Sequence, residues 1–467
     1  MILNTFFQQP RFKKNGDIRD VLVVALPMLL SMSFDTLMTF IDRLFLSKLG
    51  PCEMNAALGG GGTQIVMINL FSGVVSYATA MVAQRLGAKR HDECSKVLVQ
   101  TLYFSLFSMP LVFATIPLGY TLFDMQHLVP EQMEPQKLYF KILIFGSFLM
   151  LARNSLANFF SGIGEAKIVM KAAFAAMVVN IVANYFLIFG MGPFPKLGVA
   201  GAAYGTLLGT LVSVIMLLAV YFSKRNRERF GTASDFRLNI PIMKELLRRG
   251  LPCGVEFFLN MFAFQSLLFL FHGLGAVSAT AASVMFNWDM VAYVPLMGLE
   301  VASTSLVGRF VGARQAAAAK RSTFSGLKIG WGYSFIIGLL FIFLPGVLTD
   351  IFRPDAAASA EALAIFEAAR PMSIFMLRIA IIYIFVEVLL VIYAGALRGA
   401  GDTVWVMFAS AIMNWTVTLS LYIAAYVFHA PAHYAWIAVV ALYGTAPFFF
   451  MWRWKSGKWR KHVLEHN

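Results

Sequence analysis

Long apolar stretches separated by short polar ones run the length of the chain, and this pattern predicts membrane spans. A helix needs ~20 mainly apolar residues to cross a bilayer core. Twelve stretches meet that length: 20–47, 61–84, 97–123, 138–161, 168–191, 198–222, 245–272, 277–308, 324–349, 372–397, 404–428 and 434–454. Pro51, Pro130, Pro193, Pro195 and Pro354 fall between them, where a chain break costs little. Pro27, Pro252 and Pro295 fall inside and are expected to kink their helices. The segment Met1–Asp20 is basic and leads into an apolar run too long for a signal peptide, with no small-residue cleavage site. It reads as the approach to a retained first span.

Composition agrees. Of 467 residues, 59% are hydrophobic and 13% charged, against ~25% charged in a typical soluble domain. The excess apolar surface is expected to face lipid. The net charge of +14 does not point to nucleic acid, because it sits in short runs between apolar stretches. Of the 38 Lys and Arg, Lys48, Lys137, Lys141, Lys196, Arg353 and Arg370 fall in alternate loops, and Arg43, Arg153 and Arg378 within spans. All the others cluster at the opposite ends of the spans. By the positive-inside rule that side is cytoplasmic and holds both termini. Cys52 and Cys94 are expected in loops and Cys253 in an apolar stretch, with no disulfide framework or metal-ligand spacing.

The chain also repeats itself. At an offset of 225 residues, Ala25-Leu26-Pro27 falls on Gly250-Leu251-Pro252, Leu49-Gly50 on Leu274-Gly275, and Gly87-Ala88-Lys89 on Gly312-Ala313-Arg314. Further on, Gly162-Ile163-Gly164 matches Gly399-Ala400-Gly401. Matching Gly and Pro at one register is uncommon by chance, so duplication is inferred. Six spans per half make the repeats parallel, related by an axis along the membrane normal. The expected architecture is an all-α integral membrane protein of twelve helices in two six-helix lobes: an N-lobe (1–222), a basic linker (223–244) and a C-lobe (245–467). A monomer is expected.

Acids inside apolar spans need a reason, since one at mid-membrane costs at least ~2.5 kcal/mol. The candidates are Asp35, Asp42, Glu256, Asp289, Glu300 and Glu387. Asp35 and Asp42 lie two turns apart on one helical face, Asn260 one turn after Glu256, and Tyr383 one turn before Glu387. Acids converging in a low-dielectric cavity would hold a proton or share a cation. Asp42 could instead be interfacial, Glu300 wet, and Arg378 a neutralising partner. Arg153 is expected to snorkel to the inner interface. The run Gly59–Gly62 reads as a flexible outer loop. No His-Glu-x-x-His motif or Ser/His/Asp set supports an enzyme.

These residues resemble the multidrug and toxic compound extrusion (MATE) family. The matching pieces are Leu26-Pro27, Ile41-Asp42, Leu49-Gly50, the stretch Asn180–Gly190 running on to Leu197–Ala203, Leu306–Gly308 with Gly312-Ala313, and Gly395–Thr403. The resemblance implies an antiporter in a bacterial inner membrane that expels organic, often cationic, compounds against H+ or Na+ entry and carries no cofactor. It places Asp42, with Asn180 and Asn184, in an N-lobe polar cavity. It matches Glu387 and Tyr383 to the span-ten acid and its neighbour. The family's usual span-seven acid falls at Asn260, with Glu256 one turn away as a substitute, so Na+ is expected at Glu256, Tyr383 and Glu387. Asn184 stands where one branch has an aspartate, which weakens an N-lobe sodium site. Asp289 and Glu300 are extra acids that weight coupling toward the C-lobe. A lipid-linked oligosaccharide flippase of the same superfamily is the alternative, disfavoured by twelve spans and an acidic interior.

Overall fold

The structure, a computed structural model, describes residues 16–125, 130–232, 234–354 and 360–460. Arg11, Lys13, Lys14 and Lys461, part of the expected cytoplasmic charge, lie outside them. No strand occurs among the described residues. Eleven helices are long and apolar enough to span a membrane, and a bent pair makes twelve. They are α1 (Ile18–Ser47), α2 (Cys52–Gly87), α3 (His91–Phe113), α4 (Pro130–Phe145 with Ser147–Gly162), α5 (Ala166–Phe189), α6 (Val199–Tyr221), α7 (Ile240–Gly273), α8 (Ala276–Gly312), α9 (Ala316–Phe343), α10 (Leu363–Ala400), α11 (Thr403–Val427) and α12 (Ala432–Lys455). Large apolar side chains such as Phe269, at 77% exposure, and Phe343, at 74%, face outward. Lipid is the environment that makes this favourable, and the chain is a multi-pass membrane protein.

Pro27, Pro252 and Pro295 lie inside α1, α7 and α8 as expected. Three expectations need correction. Cys52 and Cys94 are helical. The span expected at 138–161 is α4, bent by 48° at Gly146. The Gly59–Gly62 run is not a loop but part of α2. A Cβ on Gly59 would strike the Gln136 side chain, and one on Gly60 the Gln136 carbonyl. These glycines let α2 approach α4 closely, the usual role of small residues where membrane helices cross.

The repeat is visible as reciprocal contacts. A Cβ on Gly87 would meet the Arg309 carbonyl, and one on Gly312 the Gln84 carbonyl. Gly73 abuts Gly254, while Gly298 abuts Leu29. Each pair exchanges into the other at the sequence offset, which is what a two-fold axis between the lobes requires. Lys89 and Arg314, also equivalent, both adopt positive φ, 63° and 57°.

These crossings lie toward the Lys- and Arg-rich ends of the helices, here called the basic side. There one apolar core runs through both lobes, from Val21, Val82 and Phe159 to Leu306, Ile392 and Leu397. Toward the other side each lobe has its own core, around Ala57 and Ile188 or Phe123 and Phe140 in the first lobe and around Phe271 and Trp436 in the second. The lobes are therefore joined on the basic side and separate opposite. Polar contacts complete the closure: Gln84 Nε2 donates to the Gly399 carbonyl (2.7 Å), Ser305 Oγ to the Ser161 carbonyl (2.6 Å), and Arg85 pairs with Glu245 (2.7 Å).

Candidate functional site

In the first lobe, Asp42 is buried among α1, α5 and α6, not interfacial. Asn184 Nδ2 donates to its Oδ1 in a short contact, and Thr206 Oγ1 donates to its Oδ2 at 3.0 Å. Asn180 closes the group by accepting from Asn184 at 3.3 Å. Gly205 makes room, since a Cβ there would overlap Asn184 Oδ1. The carboxylate thus sits among neutral donors, which stabilise its charge without cancelling it.

Asp35 does not join this group. Arg153 Nη2 donates to both of its oxygens, at 2.8 and 2.9 Å, and Arg153 Nε to Ser213 Oγ at 3.3 Å. Arg153 therefore does not snorkel to an interface. The half-exposed Asp35 carboxylate, with Ser213 of α6, holds it in place.

The second lobe contains a cavity of about 410 Å³ lined by α7, α8, α10, α11 and α12, with Asn69 of α2 reaching it from the first lobe. Its walls are mostly apolar, with Met261, Met290, Met413, Phe257, Phe264 and Trp436, and four acids project into it: Glu256, Asp289, Glu300 and Glu387. They fall into two sets. Arg398 binds Glu256 through Nη2 to Oε1 (2.7 Å) and Nε to Oε2 (3.3 Å), and it contacts Glu300 through Nη1. Ser410 Oγ donates to Glu256 Oε1 at 2.7 Å. In the other set the tyrosines supply the donors: Tyr383 to Asp289, and Tyr443 to Glu387 Oε1 at 3.3 Å. Glu387 Oε2 is buried with no hydrogen-bond partner.

The sodium set expected at Glu256, Tyr383 and Glu387 is not assembled. Arg398 takes up Glu256, and Tyr383 turns to Asp289 rather than to Glu387. Among the described residues no group of three His, Cys, Asp or Glu is placed to hold a metal ion. Asn260 accepts from Asn414 Nδ2 at 2.9 Å, and Arg378 is exposed and no partner to Glu387.

Sequence reasoning missed Thr206, Tyr443, Ser410, Asn414 and the role of Arg398, which falls one residue past the span expected at 372–397. One signal was available. Ser410, Asn414 and Thr418 are spaced by four along α11 and face Glu256, Asn260 and the Ala263 carbonyl of α7 in turn. That is a polar stripe on an otherwise apolar helix.

The MatE family model matches residues 27–186 and 252–423. The two matches begin at the equivalent prolines of the repeat. The chain is 26% identical over 454 residues to the probable multidrug resistance protein NorM of Neisseria meningitidis serogroup B, covering 96% of this chain and 95% of that one. It is 26% identical over 411 residues to the multidrug resistance protein PmpM of Pseudomonas aeruginosa, covering 86% and 83%. In fold it is similar to a MATE crystallised in complex with MaL6, at TM-score 0.84 and 24% identity over 96% of this chain and 98% of that one. It is also similar to a MOP superfamily transporter from Pyrococcus furiosus described as having reverse polarity of its binding pocket, at TM-score 0.83 and 24% identity over 95% and 97%.

Proposed function

The chain belongs to the MatE family, and from that premise we propose that it is a multidrug efflux transporter that exchanges organic cations for H+ or Na+ through the second-lobe cavity. The observation that carries this reading is the pair Asp289 and Glu387, two acids in an apolar cavity whose donors are neutral tyrosines. A carboxylate oxygen buried without a donor is costly while ionised, and a proton or cation relieves that cost. An organic cation with apolar surface suits the same place, with Met and aromatic walls adaptable to varied shapes. Because cargo and coupling ion neutralise one set of charges, each displaces the other, and exchange follows.

Asp42 with its Asn180, Asn184 and Thr206 donors is proposed as a secondary polar site in the first lobe. The N-lobe (1–222), linker (223–244) and C-lobe (245–467) form the moving parts. With the basic side cytoplasmic, both termini inside and the protein a monomer in a bacterial inner membrane, lobes joined on the basic side correspond to an outward-open state.

Proteoliposomes loaded with ethidium test the reading, with H+ and Na+ gradients imposed separately. The expected result is ethidium movement against its gradient, driven by one of the two ions. Movement of an anionic phosphate-bearing lipid, with no ethidium transport under either gradient, would favour the flippase alternative instead.

A further inference from the structure

Arg398 lies at the end of α10, its side chain 12% exposed, and holds Glu256 of α7 and Glu300 of α8 with one guanidinium. The other titratable groups facing it are Cys253 on α7 and Tyr293 on α8, with Glu387 further along its own helix. Two carboxylates thus share a single fixed positive charge.

The positions of its partners along the helices matter more than the pairing. Glu256 lies two residues after Gly254, and Glu300 two residues after Gly298. Gly254 and Gly298 are the glycines at which α7 and α8 press against α2 and α1 of the other lobe. On α10 the residue after Arg398 is Gly399, whose carbonyl accepts Gln84 Nε2 across the lobe boundary. One side chain inside the cavity therefore ties together three helices, each within two residues of a contact that closes the lobes on the basic side. An arginine suits this, because its planar fork can satisfy two carboxylates at fixed angles, which a lysine point charge cannot.

We propose that Arg398 is a tethered counter-cation, a positioning residue that couples the charge of the cavity to closure of the lobes. The proposal rests on the ion-coupled transport reading above. With Glu256 and Glu300 both ionised, Arg398 spans them and holds α7 and α8 in the register that Gly254 and Gly298 need to meet the first lobe. When a proton or cation neutralises one acid, the attraction to that side is lost and Arg398 turns to the other. The α7–α8 spacing relaxes, and with it the two glycine contacts. Asp289 and Glu387 are held by Tyr383 and Tyr443 and not by Arg398, so neutralising either of them alone leaves the brace in place.

Distances between spin labels at K167C and K320C test this. Both sites are exposed, at the starts of α5 and α9 in opposite lobes on the basic side. Cys52 is changed to Ser, and the buried Cys94 and Cys253 are retained. The parent should show one short distance. E256Q and E300Q, which mimic a neutralised acid, should raise a longer population roughly tenfold, within the usual range of coupling between sites. R398Q should do the same, and adding E300Q to it should change nothing further. R398K should restore part of the short population. D289N and E387Q should keep the parent distance.

The idea is overturned if folded R398Q and E300Q both keep the parent distance, or if D289N and E387Q shift it as far as E300Q does. Because E300Q leaves the Glu256–Arg398 pair intact, it remains informative even where R398Q does not fold. Ethidium transport by the same parent preparations separates the two readings. A label shift without ion-driven transport sinks the transport reading and leaves the brace standing. Transport without the shift does the reverse.

Discussion

An acid held inside an apolar lobe has two stable arrangements here, and each residue in the site takes one of them. Asp35 and Glu256 are neutralised by arginines. Asp42, Asp289 and Glu387 have only neutral donors, so any charge they carry is left for a proton or an external cation to meet. The two classes predict different consequences of mutation. Breaking a buried ion pair from one side costs ~3–5 kcal/mol. Asp35 is 38% exposed, so R153A should cost less, about 1–2 kcal/mol once solvent screening is allowed for. Adding D35N should recover most of it, and thermal melting in detergent measures both. D289N should instead leave the melting temperature within a few degrees of the parent and abolish ion-driven ethidium transport. The acids were legible in the sequence because a carboxylate in an apolar span stands out. Their arginine and threonine partners were not. Arg398 is 142 residues from Glu256 and Thr206 is 164 from Asp42, and nothing in either local sequence says that those helices meet.

At the scale of elements, hydrophobic length located the spans, and glycine was harder to interpret. The same residue breaks a helix in water and permits close crossing in a membrane. Gly59–Gly62 therefore looked like a loop, while its contacts with α4 make it a packing face. The repeat resolves other glycines, because Gly87 and Gly312 recur at one register and then meet each other's helices. A side chain at either should prop the lobes apart where they join. G87V should cost ~1–3 kcal/mol, as overpacking does, and should make S305C, buried where the lobes join, reactive toward a water-soluble maleimide. Unchanged reactivity in a folded G87V protein would show that this crossing does not close the lobes. A second repeated device pins the loops. Glu165 pairs with Arg225 at 2.7 Å, and the equivalent Asp402 pairs with Arg453 at 2.7 Å. Each fastens the start of a lobe's fifth helix, α5 or α11, to the segment after its sixth or to the end of the sixth itself.

Over the whole molecule, the two lobes share a scaffold and differ in charge. Duplication was readable because glycines and prolines recur in register. The joined core on the basic side was not, since it depends on how the halves dock. From the asymmetry of the acids follows the proposal that the second lobe exchanges cargo for a coupling ion at Asp289 and Glu387. The most direct measurement is ethidium-driven counterflow of H+ or Na+ in proteoliposomes, comparing the parent with E387Q. Counterflow is expected in the parent and its loss in the folded E387Q variant. Counterflow at the parent rate in E387Q would contradict the proposal.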